Sequence, residues 1–372
     1  MDKRSIIITI LAVVFAHVFV LSLVLLPGCS NADTTSGAVS SVKKAPGKAV
    51  EQPQPATDTA AGDTASEKTE APSPVAVPAK KKNQLQKAKS PRPLSDAKAV
   101  NGKILDLKDW SKKTSRNYNR VCGILIDLNS RRVLWQLNPD KQVPIASLTK
   151  IMTLLLAYET LHQPTCELDL DTLITITPEA RKVPPSGVGF RPEEKSFPLR
   201  SLMIAAAIKS ANDATYLIAQ TFGNGSADQF VEGMNDRALE LGMTRTKFYN
   251  PHGLPGRYEK RPDNVSTVRD LARLCEAYLT FPELHQWSST TVATFRVPND
   301  LITHNNLLKK GKFHTPGVSG IKTGYTSNAG LCLAAVCDRD GRRLLAIVTG
   351  FNSGADRDRF TKNLLEWGYR QR

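Results

Sequence analysis

Residues 144–156 read PIASLTKIMTLLL, an apolar run in which a serine and a lysine stand three positions apart. Pro144 before the run and Ser147 near its start are typical of the beginning of a helix. The pattern therefore predicts an apolar helix over Ile145–Leu161. Because residues three apart on a helix share a face, we expect Lys150 to approach the Ser147 hydroxyl.

A serine beside a lysine at a helix start has the elements of a nucleophile and its base. Backbone N–H groups and the helix dipole favour negative charge there, which helps an attacking alkoxide. A serine needs a neighbouring base to take its proton, and a lysine can serve only if desolvation or another cation lowers its pKa. The pattern alone is weak evidence, because Ser-x-x-Lys also occurs at Ser41 and Ser95 in a region of linker composition.

A second motif, Ser-Ala-Asn at 210–212, lies in a stretch that predicts one helix over Leu199–Phe222. The Ser210 hydroxyl could relay a proton to a departing amine. The Asn212 amide could hold a substrate carbonyl or orient the lysine of the first motif. Because Ser-Arg-Asn at 115–117 has the same form, this motif is also weak when taken alone.

The third motif, Lys-Thr-Gly at 322–324, occurs once and precedes the closing apolar strands, so we expect it on an edge strand. Lys322 would supply the cation that lowers the pKa of Lys150, and it would attract a substrate carboxylate. Thr323 can hydrogen-bond that carboxylate, and Gly324 allows close approach of a substrate backbone. The motifs are 63 (147 to 210) and 112 (210 to 322) residues apart, and together they form a strong signal.

Apolar patterns around these motifs indicate the fold class. The other predicted elements are hairpin strands over 121–127, 133–135, 331–336 and 344–348 and helices over 230–241, 268–279 and 360–367. Strands at both ends with helices between them indicate an α+β fold. We expect the first and last hairpins to share one antiparallel sheet.

An apolar run over Ser5–Leu26 follows basic residues at the amino terminus. Its length fits a membrane-spanning helix, and the basic residues predict a cytoplasmic amino terminus with the rest of the chain exported. The sequence LPGC at 26–29 resembles the lipobox of bacterial lipoproteins, in which the cysteine, here Cys29, is acylated, although Pro27 departs from the usual small residue. A lipoprotein, an uncleaved anchor and plain secretion remain open, and all three place the bulk of the chain outside the cytoplasm.

Residues 30–103 consist largely of Ala, Pro, Thr, Ser, Lys and Glu, with almost no aromatic side chains. Such a composition buries too little apolar surface to offset the entropy of ordering, so it predicts a disordered tether. The predicted organisation is a membrane anchor or lipoprotein signal at 1–29, a linker at 30–103 and one globular domain at 104–372.

The net charge of +15 allows attraction to polyanions or to an anionic membrane surface. Because no nucleic-acid-binding motif accompanies the charge and much of the excess lies in the linker, we expect no nucleic-acid partner. Five of the six cysteines remain once Cys29 is set aside, so a fully paired disulfide framework is not expected. No His or Cys cluster has the spacing of metal ligands, and we expect no metal or other cofactor.

The order Ser-x-x-Lys, Ser-x-Asn and Lys-Thr-Gly resembles that of penicillin-binding proteins and serine β-lactamases, whose motifs line one cleft. More closely, residues 119–370 are similar to the low-molecular-mass serine D-alanyl-D-alanine carboxypeptidases. Further stretches that carry the resemblance lie at 210–214, 234–235, 241–243, 248–254, 266–272 and 364–369. The resemblance implies a β-lactamase/transpeptidase-like fold, in which helices flank an antiparallel sheet and form a helical subdomain.

The resemblance also implies a role for each motif residue. Ser147 would be the nucleophile, Lys150 the general base, Ser210 and Asn212 the second catalytic motif, and Lys322, Thr323, Gly324, Tyr325 and Arg357 the substrate-binding residues. The backbone N–H groups of Ser147 and Tyr325 would form the oxyanion hole. The implied reaction removes the terminal D-Ala of a peptidoglycan stem peptide through an acyl-enzyme, and β-lactams would be inhibitors that leave slowly.

Three features depart from the family pattern. Ala211 stands where the family commonly has Gly, and Ser319 stands where Asp often precedes Gly-Ile-Lys-Thr-Gly. The chain ends soon after Trp367, whereas many relatives continue into a β-rich domain and a carboxy-terminal amphipathic anchor. The amino-terminal segment could replace that anchor.

Other functions remain open on the sequence. A D,D-endopeptidase would cut peptidoglycan crosslinks with the same residues. A class A-type β-lactamase is disfavoured, because Glu-Gly-Met-Asn at 232–235, which resembles its deacylating motif, falls within a carboxypeptidase-like segment. A non-catalytic wall-binding or signalling domain, or a structural tether, would leave the intact motifs unexplained.

Overall fold

The computed structural model describes residues 87–96, 98–101, 120–184, 186–297 and 299–371. The predicted anchor with Cys29, most of the predicted linker and residues 104–119 of the predicted globular domain lie outside the described residues. Within the part of the chain that is described, no helix is both long and apolar enough to cross a bilayer.

Most of the strands lie toward the two ends of the described chain, and most of the helices lie between them. In chain order the strands are β1 (Val100–Asn101), β2 (Cys122–Asp127), β3 (Arg132–Leu137), β4 (Val143–Pro144), β5 (Leu173–Thr175), β6 (Ser196–Pro198), β7 (Val265–Ser266), β8 (Val292–Arg296), β9 (Asn299–Ile302), β10 (Lys322–Thr326), β11 (Gly330–Arg339) and β12 (Arg342–Phe351). The helices are α1 (Thr149–Leu161), α2 (Pro178–Lys182), α3 (Leu199–Ile208), α4 (Asn212–Phe222), α5 (Ala227–Glu240), α6 (Val268–Leu279), α7 (Pro282–Ser289) and α8 (Gly354–Arg370).

One six-stranded sheet has the strand order β1-β3-β2-β12-β11-β10. Its neighbouring strands are antiparallel, except that β1 runs parallel to β3. The first and last hairpins therefore share one sheet, and the prediction of an α+β fold is confirmed. The Lys-Thr-Gly motif lies on β10 at the sheet edge, as expected, and Gly324 is opposite Cys332 of β11.

Helices cover both faces of this sheet. The buried side chains of β2 alternate, so that Leu125 joins a cluster with Phe360 of α8 while Ile124 and Ile126 join the cluster that contains α1 and α6. Helix α8 lies close to the sheet, since a Cβ added at Gly368 would be 2.7 Å from Leu125 Cδ2. Helix α1 is buried along almost its whole length, which explains its apolar composition.

The helix predicted over Leu199–Phe222 is two helices, and this part of the prediction was wrong. Helix α3 ends at Ile208, and α4 begins at Asn212. Ser210 lies in the break with φ of 62°, in the left-handed region that helices of L-residues avoid. The Asn212 N–H donates to the Ser186 carbonyl oxygen at 2.9 Å instead of continuing the helical ladder.

Part of the segment predicted as linker packs against the globular domain. Ala88 is buried, and its N–H donates to Glu159 Oε1 at 2.9 Å while its carbonyl oxygen accepts a hydrogen bond from Arg237. Strand β1 pairs with β3, with Val100 opposite Trp135. The described chain therefore contacts the globular domain from residue 87 onward. Composition did not indicate this, because backbone groups make several of the contacts.

Candidate active site

Ser147 lies in a single 3₁₀ turn, Ala146–Leu148, directly before α1. Ala146 has φ of 47°, and its carbonyl oxygen packs against the loop that contains Gly253. A Cβ added at Gly253 would lie 2.0 Å from that oxygen, so only glycine allows the loop to approach this closely. Two neighbours therefore fix the turn that contains Ser147: helix α1, which follows it in the chain, and the loop that contains Gly253.

Lys150 is wholly buried beside Ser147. Its Nζ lies 3.0 Å from Ser147 Oγ, 2.7 Å from Asn212 Oδ1 and 2.5 Å from the His252 carbonyl oxygen. A neutral amine has two N–H donors and one lone pair. It can therefore donate to Asn212 and His252 and still accept a proton from the serine hydroxyl.

The electrostatic surroundings of Lys150 favour this neutral form. Burial lowers the pKa of Lys150 well below its usual value, and the positive charge of Lys322 lowers it further. Asp213 acts in the opposite direction and is the smallest of the three influences. The lysine is thus suited to act as a general base toward Ser147.

Ser210 faces the cleft from the break between α3 and α4. Its Oγ is buried and makes no hydrogen bond within the described residues. Buried hydroxyls are normally hydrogen-bonded, so an unpaired one at a cleft is suited to bind a substrate group. Asn212 begins α4, and its Oδ1 accepts a hydrogen bond from Lys150 Nζ at 2.7 Å.

Strand β10 brings the third motif alongside the nucleophile. A Cβ added at Gly324 would lie 3.0 Å from the Ser147 backbone nitrogen, so the strand approaches the serine closely. Lys322 is 4% exposed, and its Nζ donates to the Thr323 carbonyl oxygen at 3.0 Å. Burial, with a further contribution from the charge of Arg357, lowers the pKa of Lys322 to about 7.

One cleft of about 410 Å³ joins residues from all three motifs. It is lined, among others, by Ser147, Ser210, Thr323, Gly324, Tyr325 and Arg357. Lys150, Asn212 and Lys322 are buried next to these lining residues. The structure thus brings together all the predicted site residues of the globular domain, whereas Cys29 lies outside the described residues.

Several residues at the site were not singled out from the sequence, among them His252 and Asp213. His252 supplies the carbonyl oxygen that binds Lys150, and its own side chain is held by Glu259 at 3.0 Å. Asp213 accepts hydrogen bonds from the backbone N–H groups of Val188 at 2.9 Å and Gly189 at 2.8 Å, which fixes the loop beside Ser186. Both residues lie in stretches of the sequence that resemble the family, at 248–254 and 210–214. This resemblance was the one sequence signal that could have identified them.

A serine whose proton can pass to a neutral lysine, within a cleft that also contains two buried cations, is suited to acyl transfer from an anionic substrate. This arrangement, on a sheet whose edge strand borders the nucleophile, is that of the penicillin-binding proteins. The model of the family described as D-alanyl-D-alanine carboxypeptidase matches residues 113–353. The chain belongs to this family.

Individual relatives agree with this assignment. D-alanyl-D-alanine carboxypeptidase DacF of Bacillus subtilis is 30% identical over 269 residues, 71% of this chain and 66% of that protein. A D-alanyl-D-alanine endopeptidase of Pseudomonas aeruginosa is 36% identical over 218 residues, 57% of this chain and 64% of that protein. The chain therefore spans slightly less than two thirds of the length of these curated relatives.

The fold is also found in a solved structure. Penicillin-binding protein D2 of Listeria monocytogenes, in its ampicillin-bound form, is similar to this chain with a TM-score of 0.59 and 28% identity. The match covers 67% of this chain and 96% of the other. The β-lactamase/transpeptidase-like fold that the sequence implied is thereby confirmed.

Proposed function

We propose that this chain is a serine D-alanyl-D-alanine carboxypeptidase, which removes the terminal D-Ala from peptidoglycan stem pentapeptides. The observation that carries the proposal is the 3.0 Å contact between Lys150 Nζ and Ser147 Oγ at a wholly buried lysine. Burial lowers the pKa of Lys150 and so favours the neutral amine, which is the form that can accept the serine proton.

The proposed reaction begins when Ser147 attacks the carbonyl carbon of the penultimate D-Ala while Lys150 accepts the hydroxyl proton. The oxyanion would be bound by the backbone N–H groups of Ser147 and Tyr325, which the close approach of β10 to the serine supports. Ser210, whose Oγ is unpaired within the described residues, would pass a proton to the departing D-Ala amine. Water would then hydrolyse the acyl-enzyme.

Selection of a terminal D-Ala requires recognition of its free carboxylate. Lys322 and Arg357 supply two buried cations at the cleft, and Thr323 adds a hydroxyl. A carboxylate that replaces water next to such cations forms charge-assisted hydrogen bonds. The ampicillin-bound relative supports the further proposal that β-lactams acylate Ser147 and inhibit the enzyme.

We further propose that the catalytic domain acts in the cell envelope, outside the cytoplasm. A peptidoglycan substrate requires this location, and the apolar run at 5–26 supports it as an export signal or anchor. In this proposal, residues 1–29 hold the chain at the membrane and the Ala/Pro/Lys-rich segment that follows spans the distance to the cell wall. Acylation of Cys29 is one of the forms that the anchor could take.

The test is release of D-alanine from a pentapeptide that ends in D-Ala-D-Ala, with the full chain in detergent. The matched control is Ser147→Ala, which removes only the nucleophilic oxygen. We expect release by the parent chain and none by the variant. Equal release by both would refute the assignment of Ser147, and no release by either would refute the carboxypeptidase.

A second candidate is a D,D-endopeptidase, because the 36% identical relative from Pseudomonas aeruginosa carries that name. The same residues would cut the peptide bond of a crosslink, whose leaving group is longer than D-Ala. Incubation with a purified crosslinked peptide dimer separates the two. Faster cleavage of the dimer than of the free pentapeptide would favour the endopeptidase.

A further inference from the structure

Arg357 is bound on its inner side by the next residue of α8. Asp358 Oδ1 lies 2.8 Å from Arg357 Nε and 2.6 Å from Arg357 Nη2. The other carboxylate oxygen, Oδ2, accepts a hydrogen bond from Asn306 Nδ2 at 2.8 Å. Asp358 is 0% exposed and Arg357 is 4% exposed, so this ion pair is shielded from bulk water.

These contacts determine which N–H groups of Arg357 are left for a ligand. A guanidinium has five N–H donors. The Nε N–H donates to Asp358 Oδ1, and an Nη1 N–H donates to the Cys332 carbonyl oxygen at 3.3 Å. Nη2 lies within ion-pair distance of the same Asp358 oxygen. The remaining N–H groups on the two Nη atoms are available to donate charge-assisted hydrogen bonds to a ligand carboxylate.

Asn306 connects this pair to another segment that lines the cleft. It lies between β9 and β10, far from α8 in sequence, and it lines the same cleft as Arg357. By binding Oδ2, the Asn306 amide fixes the plane of the Asp358 carboxylate. Lys322 and Arg357 are two buried cations close enough for the charge of Arg357 to lower the pKa of Lys322. The Asp358 carboxylate is a counter-ion in direct contact with the Arg357 guanidinium, and it offsets part of the cost of burying that charge.

We infer that Asp358, oriented by Asn306, is a positioning residue that holds the Arg357 guanidinium in the orientation required to bind the terminal carboxylate of the substrate. The inference rests on the proposed function, since it concerns the same carboxylate. Asp358 itself contacts neither the substrate nor the reacting atoms. Its effect should therefore be specific to ligands that carry a carboxylate.

The test compares charged and neutral ligands on the full chain. Acylation of Ser147 by benzylpenicillin and by its methyl ester is measured for the parent and for Asp358→Asn, which keeps the side-chain shape and removes the charge. We expect the variant to react about 10- to 100-fold more slowly with the acid, the loss typical of a displaced binding group, and less than about 3-fold more slowly with the ester. Pentapeptide acid and pentapeptide amide form a second pair.

The matched control is Asp356→Asn. Asp356 is an acid of the same helix, and its carboxylate pairs with Arg359 at 3.5 Å. This variant should keep the parent ratio of acid to ester rates. Equal losses for acid and ester in Asp358→Asn, or an unchanged ratio, would overturn the inference. If Asp358→Asn does not fold, Asn306→Ala decides, because it must lower the ratio by about 3- to 10-fold.

Failure of the proposed function would be distinguishable from failure of this inference. A parent chain that releases no D-alanine refutes the carboxypeptidase. Penicillin acylation still reports whether Asp358 controls recognition of the carboxylate.

Discussion

The buried ion pair between Glu159 and Arg237 leads to a quantitative prediction about stability. Arg237 Nε and Nη2 each lie 2.8 Å from a different oxygen of Glu159, with side-chain exposures of 5% and 0%. Ala88 completes the site, because its N–H donates to Glu159 and its carbonyl oxygen accepts from Arg237. The perturbation we choose is Arg237→Met, which keeps a similar volume and removes the cation.

The expected cost follows from the burial of the remaining carboxylate. Removing one partner of a buried ion pair typically costs about 3–5 kcal/mol, because the other charge stays desolvated without a counter-ion. Replacing both partners by apolar residues of similar size is often close to neutral. We therefore expect Arg237→Met to lose about 3–5 kcal/mol. Glu159→Leu combined with Arg237→Met should recover part of that loss, because the Ala88 N–H and carbonyl oxygen still lose their partners.

The assay is urea unfolding followed by tryptophan fluorescence, with slopes and midpoints compared between variants. The matched control is Arg261→Met, which breaks an equally short pair with Asp228 (2.6 Å) at side-chain exposures of 38% and 63%. An exposed pair contributes about 0–1 kcal/mol. The reasoning is refuted if Arg237→Met costs no more than Arg261→Met, or if the double variant is as unstable as the single one.

Three other predictions concern the site and its support. A chain that begins at Lys87 should melt at a higher temperature than one that begins at Ile104. The difference in melting temperature, measured by calorimetry, should be ~2–4 °C for each kcal/mol that the Ala88 contacts contribute to the free energy of unfolding. Gly253→Ala should slow penicillin acylation about 100-fold, because its Cβ would lie 2.0 Å from the Ala146 carbonyl oxygen and displace the serine turn; unchanged acylation would contradict this. Activity should fall in acid, as the lowered pKa of Lys150 is reached and the base becomes protonated, which the pH dependence of kcat/KM would show.

The sequence was informative wherever chemistry depends on residue type and spacing. Ser147 and Lys150 are three apart at a helix start, so their contact could be predicted without knowledge of the rest of the fold. The Lys-Thr-Gly motif precedes two long apolar strands, and this order placed it correctly on a sheet edge. Both cases depend on local geometry, which sequence patterns represent well.

Other features could not be predicted, because they depend on contacts between distant segments. Ser210 has a left-handed backbone at the break between α3 and α4, where the Asn212 N–H donates to the Ser186 carbonyl oxygen. Nothing in the composition of 199–222 indicates this break. The docking of Ala88 uses backbone groups, so its side chain carries no signal. Asp358 and Asn306 are 52 residues apart, and their pairing becomes visible only when α8 lies against the cleft.

The influence of each cation in the cleft on the pKa of the next leads to one further prediction about pH. Arg357 helps to lower the pKa of Lys322 to about 7, and the charge on Lys322 in turn lowers the pKa of Lys150. Free enzyme should therefore lose activity as the pH rises through about 7, because Lys322 becomes neutral and attracts the carboxylate less strongly. Lys322→Arg should abolish this alkaline loss, since arginine stays charged.

Bound substrate changes the balance, because its carboxylate beside Lys322 favours the protonated amine and raises the Lys322 pKa. The alkaline limb of kcat, which reports the enzyme–substrate complex, should then lie at higher pH than the limb of kcat/KM, which reports the free enzyme. Limbs at the same pH for kcat and kcat/KM would show that the substrate carboxylate does not interact with Lys322.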